Sequence, residues 1–460
     1  MPSLGDLAPA WERRLGELVA ARQLPGAVLG VSHRGERFLA AAGVAGLRNP
    51  APVTARTAFQ LGSISKLYTA TLLMSVAGPE ILDRPVRELL PEAAWIEPEI
   101  RVVHLLTHSS GLGGDTFADT GRGDDALARY VARLAELPRD TPPPPGRRYS
   151  YCNSGFAVLG RIVEVLTGRT YDAALRERLL APLGAVATST LPEDSILGPV
   201  AVGHNRDPEG GLRADDRWNF ARACAPLGGV CAPAGDVLAF AELHLAGGRA
   251  GGGTAVLAPG VAELMRRRHL TAPPLARPTA RGLGWGIYDW DGGELIGHDG
   301  ETLGQIASLR ISLEHELAVV VLTNAIPDGD EAANALVADV LAPWGLAPLT
   351  LVRPPIDPGF DPRAYTGHYR NLMGTAEVTG RPGGLTLTTR YAPEGVAEET
   401  ETARLHPIGD GAFVDASTDR PTRAARFGDP GPDGRYRSYF NGRVFWRSDP
   451  PMNDSVHRGA

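Results

Sequence analysis

Trp11, Leu15, Leu18 and Val19 recur at three- and four-residue steps, which predicts an amphipathic helix over residues 9–22. Pro25-Gly26 ends that pattern. The apolar run Ala27-Val28-Leu29-Gly30-Val31, followed by Arg34-Gly35-Glu36, reads as a strand entering a hairpin. Residues from Ser63 to about Val76 suit a largely apolar helix, and a shorter helix is expected near Val102–Leu106. Phe156–Leu166 has helical recurrence that Gly168 stops. Further on, Ile306–Ile311 and Leu317–Leu322 flank a turn around Glu314-His315 and predict two adjacent sheet strands. A helix near Asp330–Leu341 then halts at Pro343.

Proline marks two breaks in this pattern. Pro142 to Pro145 form a stiff extended lead into Arg147-Arg148-Tyr149-Ser150-Tyr151. The second break runs from Pro343 to Pro362, where Pro354-Pro355, Pro358 and Pro362 interrupt a chain with little periodicity. Beyond it come short alternating segments at Gly367–Arg370, Ala376–Thr379, Leu385–Thr389, Ala412–Val414, Ala424–Phe427, Tyr436–Phe440 and Val444–Trp446. Gly, Asp and Pro separate them at hairpin-like intervals, so a small antiparallel β domain, sandwich or barrel, is expected. The 460 residues therefore divide into a first unit over 1–345, a Pro-rich linker over 346–362 and a β domain over 363–460.

Composition narrows the function classes. Lys+Arg of 46 against Asp+Glu of 53 gives a net charge of -7, and no dense basic surface is available for phosphates, so nucleic acid is not an expected partner. Arg266-Arg267-Arg268, the longest basic run, reads as a solvated helix end. No apolar stretch reaches the roughly 18 residues that a membrane-spanning helix needs, and no membrane partner is expected. The start, Met1-Pro2-Ser3-Leu4-Gly5-Asp6, carries neither a basic n-region nor an apolar core of a secretory signal, and a cytoplasmic location is the expectation. Cys152, Cys224 and Cys231 form no C-x-x-C and indicate neither a disulfide framework nor a zinc site; no metal and no cofactor are expected. One count changes the picture more than the rest. Lys66 is the only lysine, so the other 45 strong cations are arginines, which stay protonated where a buried lysine can become neutral.

Lys66 sits in Ser63-Ile64-Ser65-Lys66. Residues three apart share a helix face, so the amine can reach the Ser63 hydroxyl if Gly62 marks the turn into the helix. A serine is a poor nucleophile until a neighbouring base takes its proton, and a neutral lysine can do so. The helix N-terminus adds N–H groups where an acyl oxyanion forms. A lone S-x-x-K is often an ordinary exposed face; here Leu61, Leu67, Leu72, Leu73 and Met74 surround it, where an unneeded charge is costly. A second group is Tyr151-Cys152-Asn153: a phenol beside a lysine can relay the proton, and the Asn153 carboxamide can hold Lys66 and a substrate amide. Cys152 points away in an extended segment and is assigned to packing. The third is Gly297-His298-Asp299-Gly300-Glu301, which reads either as a turn or as a strand. On a strand, His298 and Gly300 face one cavity, and the Glu301 N–H can join that of Ser63 as an oxyanion hole.

The order S-x-x-K, Y-x-N, H-x-G resembles the serine β-lactamase-like and penicillin-binding-protein superfamily, especially its class C and D,D-peptidase-type members. Leu105-Leu106-Thr107-His108-Ser109-Ser110-Gly111-Leu112, Pro226–Val230 with Ala234-Gly235-Asp236, and Val319–Asn324 resemble further segments of that family. The resemblance covers about residues 8–345. It implies an α+β fold, an antiparallel sheet with flanking helices plus an all-α subdomain carrying Tyr151, and structural roles for His104 and His108.

The chain departs from the secreted cell-wall enzymes in its start, in having His298 where many have lysine, and in its extra β domain. This set resembles the penicillin-binding-protein-type thioesterases of the surugamide and ulleungmycin pathways, stand-alone cyclases with a C-terminal lipocalin-like domain. That resemblance implies that Ser63 takes a nonribosomal peptide from a peptidyl carrier protein thioester, that Lys66 and Tyr151 move the proton, and that Asn153, Gly300 and His298 position the acyl group. The peptide's own amine then closes a macrolactam. A roof over the cleft favours amine over water, and in that picture an arginine of the β domain, for example Arg443 within Tyr439-Phe440-Asn441-Gly442-Arg443, reaches the peptide; the other reading of Arg443 is an ordinary exposed strand arginine. Two other readings stand beside it: a cytoplasmic esterase or D-amino-acid peptidase with the same nucleophile, and a non-catalytic binding protein on this fold.

Overall fold

Leu317–Thr323 is buried at every position, because the sheet that it helps to centre is covered on both faces. The computed structural model describes residues 3–113, 116–137, 144–207, 209–218, 220–273, 278–349, 359–392, 398–416 and 424–448. Pro142 and Pro143 of the first proline run, and Pro354, Pro355 and Pro358 of the expected linker, lie outside these residues. The sheet has eight antiparallel strands in the order Glu36–Gly43, Gly26–His33, Leu317–Thr323, Gln305–Ser312, Gly293–Thr302, Gly286–Trp290, Ala280–Arg281 and Leu270–Thr271. Alternate residues divide between two cores. Leu29, Val31, Val319 and Val321 pack with Trp11, Leu15, Leu336 and Val340, under the helices Leu4–Ala21 and Asp328–Leu341. Val28, Leu309, Val320 and Leu322 face the larger core, where the helices Ser65–Ala77, Ser154–Thr167 and Ala234–Leu245 bury Leu67, Leu72, Phe156 and Leu238.

The expected helices are present; Val102–Leu106 has the expected bounds, and the others differ at one end or both. The terminal helix starts five residues earlier than residue 9, because Ser3 accepts from the Asp6 N–H as its cap, and Pro9 is tolerated within the early turns. Gly168, at φ 64°, closes Ser154–Thr167 in the left-handed conformation.

The C-terminal strands form a closed barrel of eight antiparallel strands in sequential order. Pairing of Tyr369 with Arg447 and of Arg370 with Trp446 joins the last strand to the first. Tyr369, Phe413, Phe427, Tyr439 and Phe445 fill its interior. Seven of the eight strands were legible as alternating segments. Glu399–Gly409, the longest, was not, because its first half is exposed on both faces and offers no apolar alternation.

The barrel seats on the segment before the second motif. Arg148 donates to both carboxylate oxygens of Asp429, at 2.6 and 2.5 Å, and to Ser438 Oγ at 3.2 Å. Tyr149, Phe440, Val444 and Ala272 make a shared apolar cluster, with Tyr151 and Trp446 packed against it. The Tyr151 N–H donates to the Gly442 carbonyl at 3.0 Å, and the Val444 N–H donates to Ser150 Oγ at 3.2 Å.

Strand Gly293–Thr302 meets the turn at Gly62 backbone to backbone. A Cβ on Gly300 would lie 1.9 Å from the Leu61 carbonyl oxygen, and one on Gly62, at φ 51°, 2.6 Å from the Glu301 nitrogen. Two predictions follow from these contacts. Gly300→Ala must push strand and turn apart, so its thermal midpoint, measured by calorimetry, falls by several degrees while Gly168→Ala on the open surface costs less. The Arg148 guanidinium holds the Asp429 carboxyl below its ordinary range, so the stabilisation from this pair is present above that range and fades as pH falls through the depressed value. Hydrogen exchange of residues 436–444 therefore accelerates in Asp429→Asn at neutral pH, and the difference from wild type narrows in acid.

Candidate active site

Ser63 lies in the 3-10 turn Gly62–Ile64 that runs directly into the helix Ser65–Ala77, so its backbone N–H is at a helix start. One turn on, Lys66 is fully buried. Its Nζ lies 2.9 Å from Ser63 Oγ and donates to the Leu227 carbonyl at 2.6 Å. The rings of Tyr151 and Phe156 flank it, with centroids at 5.1 and 5.8 Å. The carbonyl that holds Lys66 comes from the Pro226–Val230 segment. That segment is tied to the motif by the Val230 N–H donating to Ser65 Oγ at 2.9 Å and by Thr69 Oγ1 donating to the Pro226 carbonyl at 2.6 Å.

Tyr151 is positioned from below by His108. The two rings stack at 4.2 Å between centroids, and the backbone is held on both sides of the tyrosine. The Ser150 N–H donates to the His108 carbonyl at 2.9 Å, and the Cys152 N–H donates to His108 Nδ1 at 3.1 Å. A ring nitrogen that accepts belongs to a neutral imidazole. Burial, reinforced by the cations Arg281 and Lys66, holds His108 well below the usual histidine range. The structural role expected of His108 is thus met by a stack and an acceptor; His104 likewise accepts from the Arg101 N–H at 3.1 Å at the start of Val102–Leu106.

The Tyr151 hydroxyl is buried beside Ser63 and takes no well-formed hydrogen bond. Burial raises its pKa; the Ser63 hydroxyl, Arg281 and Arg443 oppose that rise. Asn153, almost fully buried, begins the helix Ser154–Thr167, which packs on the Ser65–Ala77 helix, and its side chain does not cap it. Cys152, Cys224 and Cys231 are buried and form no disulfide, and burial pushes the thiols of Cys224 and Cys231 up to about 12, which suits packing.

The third motif is on a strand, not in a turn. His298 pairs with Leu309 and Gly300 with Ala307, so both present to one side. The His298 ring is 6.0 Å from that of Tyr151; its Nδ1 donates to the Asp299 carbonyl at 2.5 Å, and its buried Nε2 is unpartnered. Burial and the cations Arg281 and Lys66 keep it neutral. Asp299 faces the other side, where Arg310 grips both its oxygens at 2.8 and 2.7 Å. The contact of Gly300 with the turn brings the N–H groups of Ser63 and Glu301 to the two sides of one backbone junction.

Arg443, from the barrel, stands over the Tyr151 ring at 5.1 Å. Arg281, on the strand Ala280–Arg281, lies 5.6 Å from the centre of the same ring and is buried. The structure thus brings together Ser63, Lys66, Tyr151, His298, Gly300, Glu301 and Arg443, with Asn153 two residues on from Tyr151. Arg281 was not legible. It belongs to a two-residue strand outside every motif, in a chain where arginine is the ordinary cation.

Comparisons with known proteins agree with this geometry. The family model described as Beta-lactamase matches residues 11–342. Penicillin-binding protein 4 of Amycolatopsis lactamdurans is 40% identical over 327 residues, 68% of this chain and 84% of the relative. A D-aminopeptidase of Brucella anthropi is 28% identical over 322 residues, 68% of this chain but 58% of the relative's length. Among solved structures, SurE superposes with a TM-score of 0.77 at 28% identity, covering 97% of this chain and 100% of that chain. The match to the family model spans the whole eight-stranded sheet and all three motifs, and the chain belongs to the Beta-lactamase family.

Proposed function

We propose that the protein is a serine acyltransferase of the peptide-cyclase type. Ser63 Oγ attacks the thioester of a peptide carried by a peptidyl carrier protein, and Lys66 with Tyr151 takes its proton. The C–O bond forms, the C–S bond breaks and the thiol leaves with the proton. The N–H groups of Ser63 and Glu301 stabilise the oxyanion. Asn153 and His298 orient the acyl chain; Gly300, expected to face the substrate, instead lets its strand touch the turn that carries Ser63. The peptide's own amine then displaces Ser63: the C–N bond forms, the ester C–O bond breaks, and the proton that the amine loses returns to Ser63 Oγ as the macrolactam leaves.

The observation that carries this reading is the barrel's Gly442–Val444 turn, hydrogen-bonded to the Ser150–Tyr151 backbone with Arg443 over the Tyr151 ring. An enzyme that must prefer amine to water gains from such a roof. Likeness to SurE across both parts of the chain supports the same reading, and a structure of SurE with D-Leu directs the test to peptides ending in that residue. The D-aminopeptidase relatives favour a second reading, hydrolysis at the same serine. Linear peptidyl thioesters ending in D- or L-leucine, analysed by mass spectrometry, separate the two. The expected product is lighter by one water than the linear acid; linear acid alone from every peptide overturns the cyclase reading.

Two substitutions test the roles. Lys66→Arg conserves charge yet cannot surrender a proton, so single-turnover acylation of Ser63 falls by roughly 10²–10⁴-fold, the usual worth of a general base, while circular dichroism stays native. Near-normal acylation would make Lys66 an electrostatic anchor only. Arg443→Ala lowers the ratio of cyclic to linear product, whatever it does to the rate of Ser63 acylation; an unchanged ratio for every peptide removes Arg443 from the partition between amine and water.

A further inference from the structure

Arg281 is 3% exposed, yet no carboxylate pairs with it among the described residues. One guanidinium nitrogen, Nη2, donates to the Tyr149 hydroxyl; Nε and Nη1 are buried and have no partner. The group lies over the Tyr149 ring at 4.7 Å and 5.6 Å from the Tyr151 ring centre. An unpaired buried guanidinium is expensive and is retained where its charge acts on a neighbour. The third motif carries a neutral histidine, so that strand contributes no permanent cation of its own.

We propose that Arg281 is a positioning residue that supplies the second fixed positive charge of the acylation site, holding the Ser150–Tyr151 segment through Tyr149 and favouring the proton-deficient state of the base that activates Ser63. This rests on the reading that Ser63 is acylated. The groups that face Tyr151 come from every element around it. They are Ser63 and Lys66 from the turn and helix, His108 from the segment after Val102–Leu106, Tyr149 from its own segment, Arg281 and His298 from the sheet, and Arg443 from the barrel. Of these, Lys66 is the proton carrier and Arg443 belongs to the roof, and both histidines are neutral. Arg281 is the fixed charge on the sheet side. A nearby cation favours loss of a proton from lysine and tyrosine alike, so the sign of its effect is the same whichever of Lys66 and Tyr151 is the base.

The test is the pH dependence of Ser63 acylation by the N-acetyl-D-leucine p-nitrophenyl ester, followed by rapid quench and intact-mass spectrometry on the full chain. Wild type must acquire the acyl mass on Ser63; if it does not, the reading of the function fails and Arg281 is not at issue. With acylation established, Arg281→Gln is expected to shift the rising limb of the profile upward by about one pH unit or more. Acylation at pH 7 then falls at least about tenfold and recovers in alkali. Arg281→Lys, which restores charge, is expected to return the limb towards wild type. Tyr149→Phe removes the hydrogen bond without the charge and should leave the limb in place. A rate lost equally at all pH values in Arg281→Gln, or a limb that moves equally in Tyr149→Phe, assigns Arg281 to structure alone and overturns the proposal. So does a profile unchanged in Arg281→Gln. Should Arg281→Gln fail to fold, Arg281→Lys with a wild-type limb supports the proposal, and Arg281→Lys with the rate lost uniformly in pH overturns it.

Discussion

A single amine, enclosed by two aromatic rings and held between a serine hydroxyl and a backbone carbonyl, is the contact on which the rest of the site depends. Burying Lys66 costs solvation of its charged form, and the protein meets that cost with built partners. The Ser65–Ala77 helix sets the spacing to Ser63, and the Leu227 carbonyl, carried on the segment that also binds Ser65 and Thr69, fixes the amine from the other side. Everything else is arranged around this pair. The sheet brings His298 and the Glu301 N–H to the turn, and the helix Ser154–Thr167 brings Phe156 and the Tyr151–Asn153 segment.

Two glycines make the junction possible. Strand Gly293–Thr302 and the turn at Gly62 approach so closely that neither Gly300 nor Gly62 can carry a Cβ. The two backbones thereby bring a pair of N–H groups to one place without any side chain between them. The barrel then closes over the opposite side, through the Arg148–Asp429 pair, the apolar cluster about Phe440 and Val444, and the backbone bond from Tyr151 to Gly442. The candidate site is therefore composite: Ser63 belongs to a turn, Lys66 to the helix that follows it, Tyr151 to the segment before a second helix, His298 and Glu301 to a strand, and Arg443 to a second fold.

Much of this was legible in the sequence, for a physical reason. Motif residues lie at fixed spacings along one element, and spacing along a helix or strand is geometry: Ser63 and Lys66 on one helical face, His298 and Gly300 on one strand face. The helices announced themselves by apolar recurrence, and seven barrel strands by alternation. The strand Glu399–Gly409 did not, because its exposed half has no face to hide. Arg281 did not either: its importance arises from what it lacks, a carboxylate partner, and that can be seen only when the chain is folded around it. Arg443 was legible only through likeness to a family, since nothing in its local spacing distinguishes it from the other arginines of the barrel.

The most direct test of the central claim is peptide mapping of the protein quenched in acid seconds after mixing with a peptidyl thioester. The account predicts the acyl mass on Ser63, in wild type and not in Ser63→Ala. An acyl mass on another residue, or none on any residue while the thioester is consumed, would contradict it.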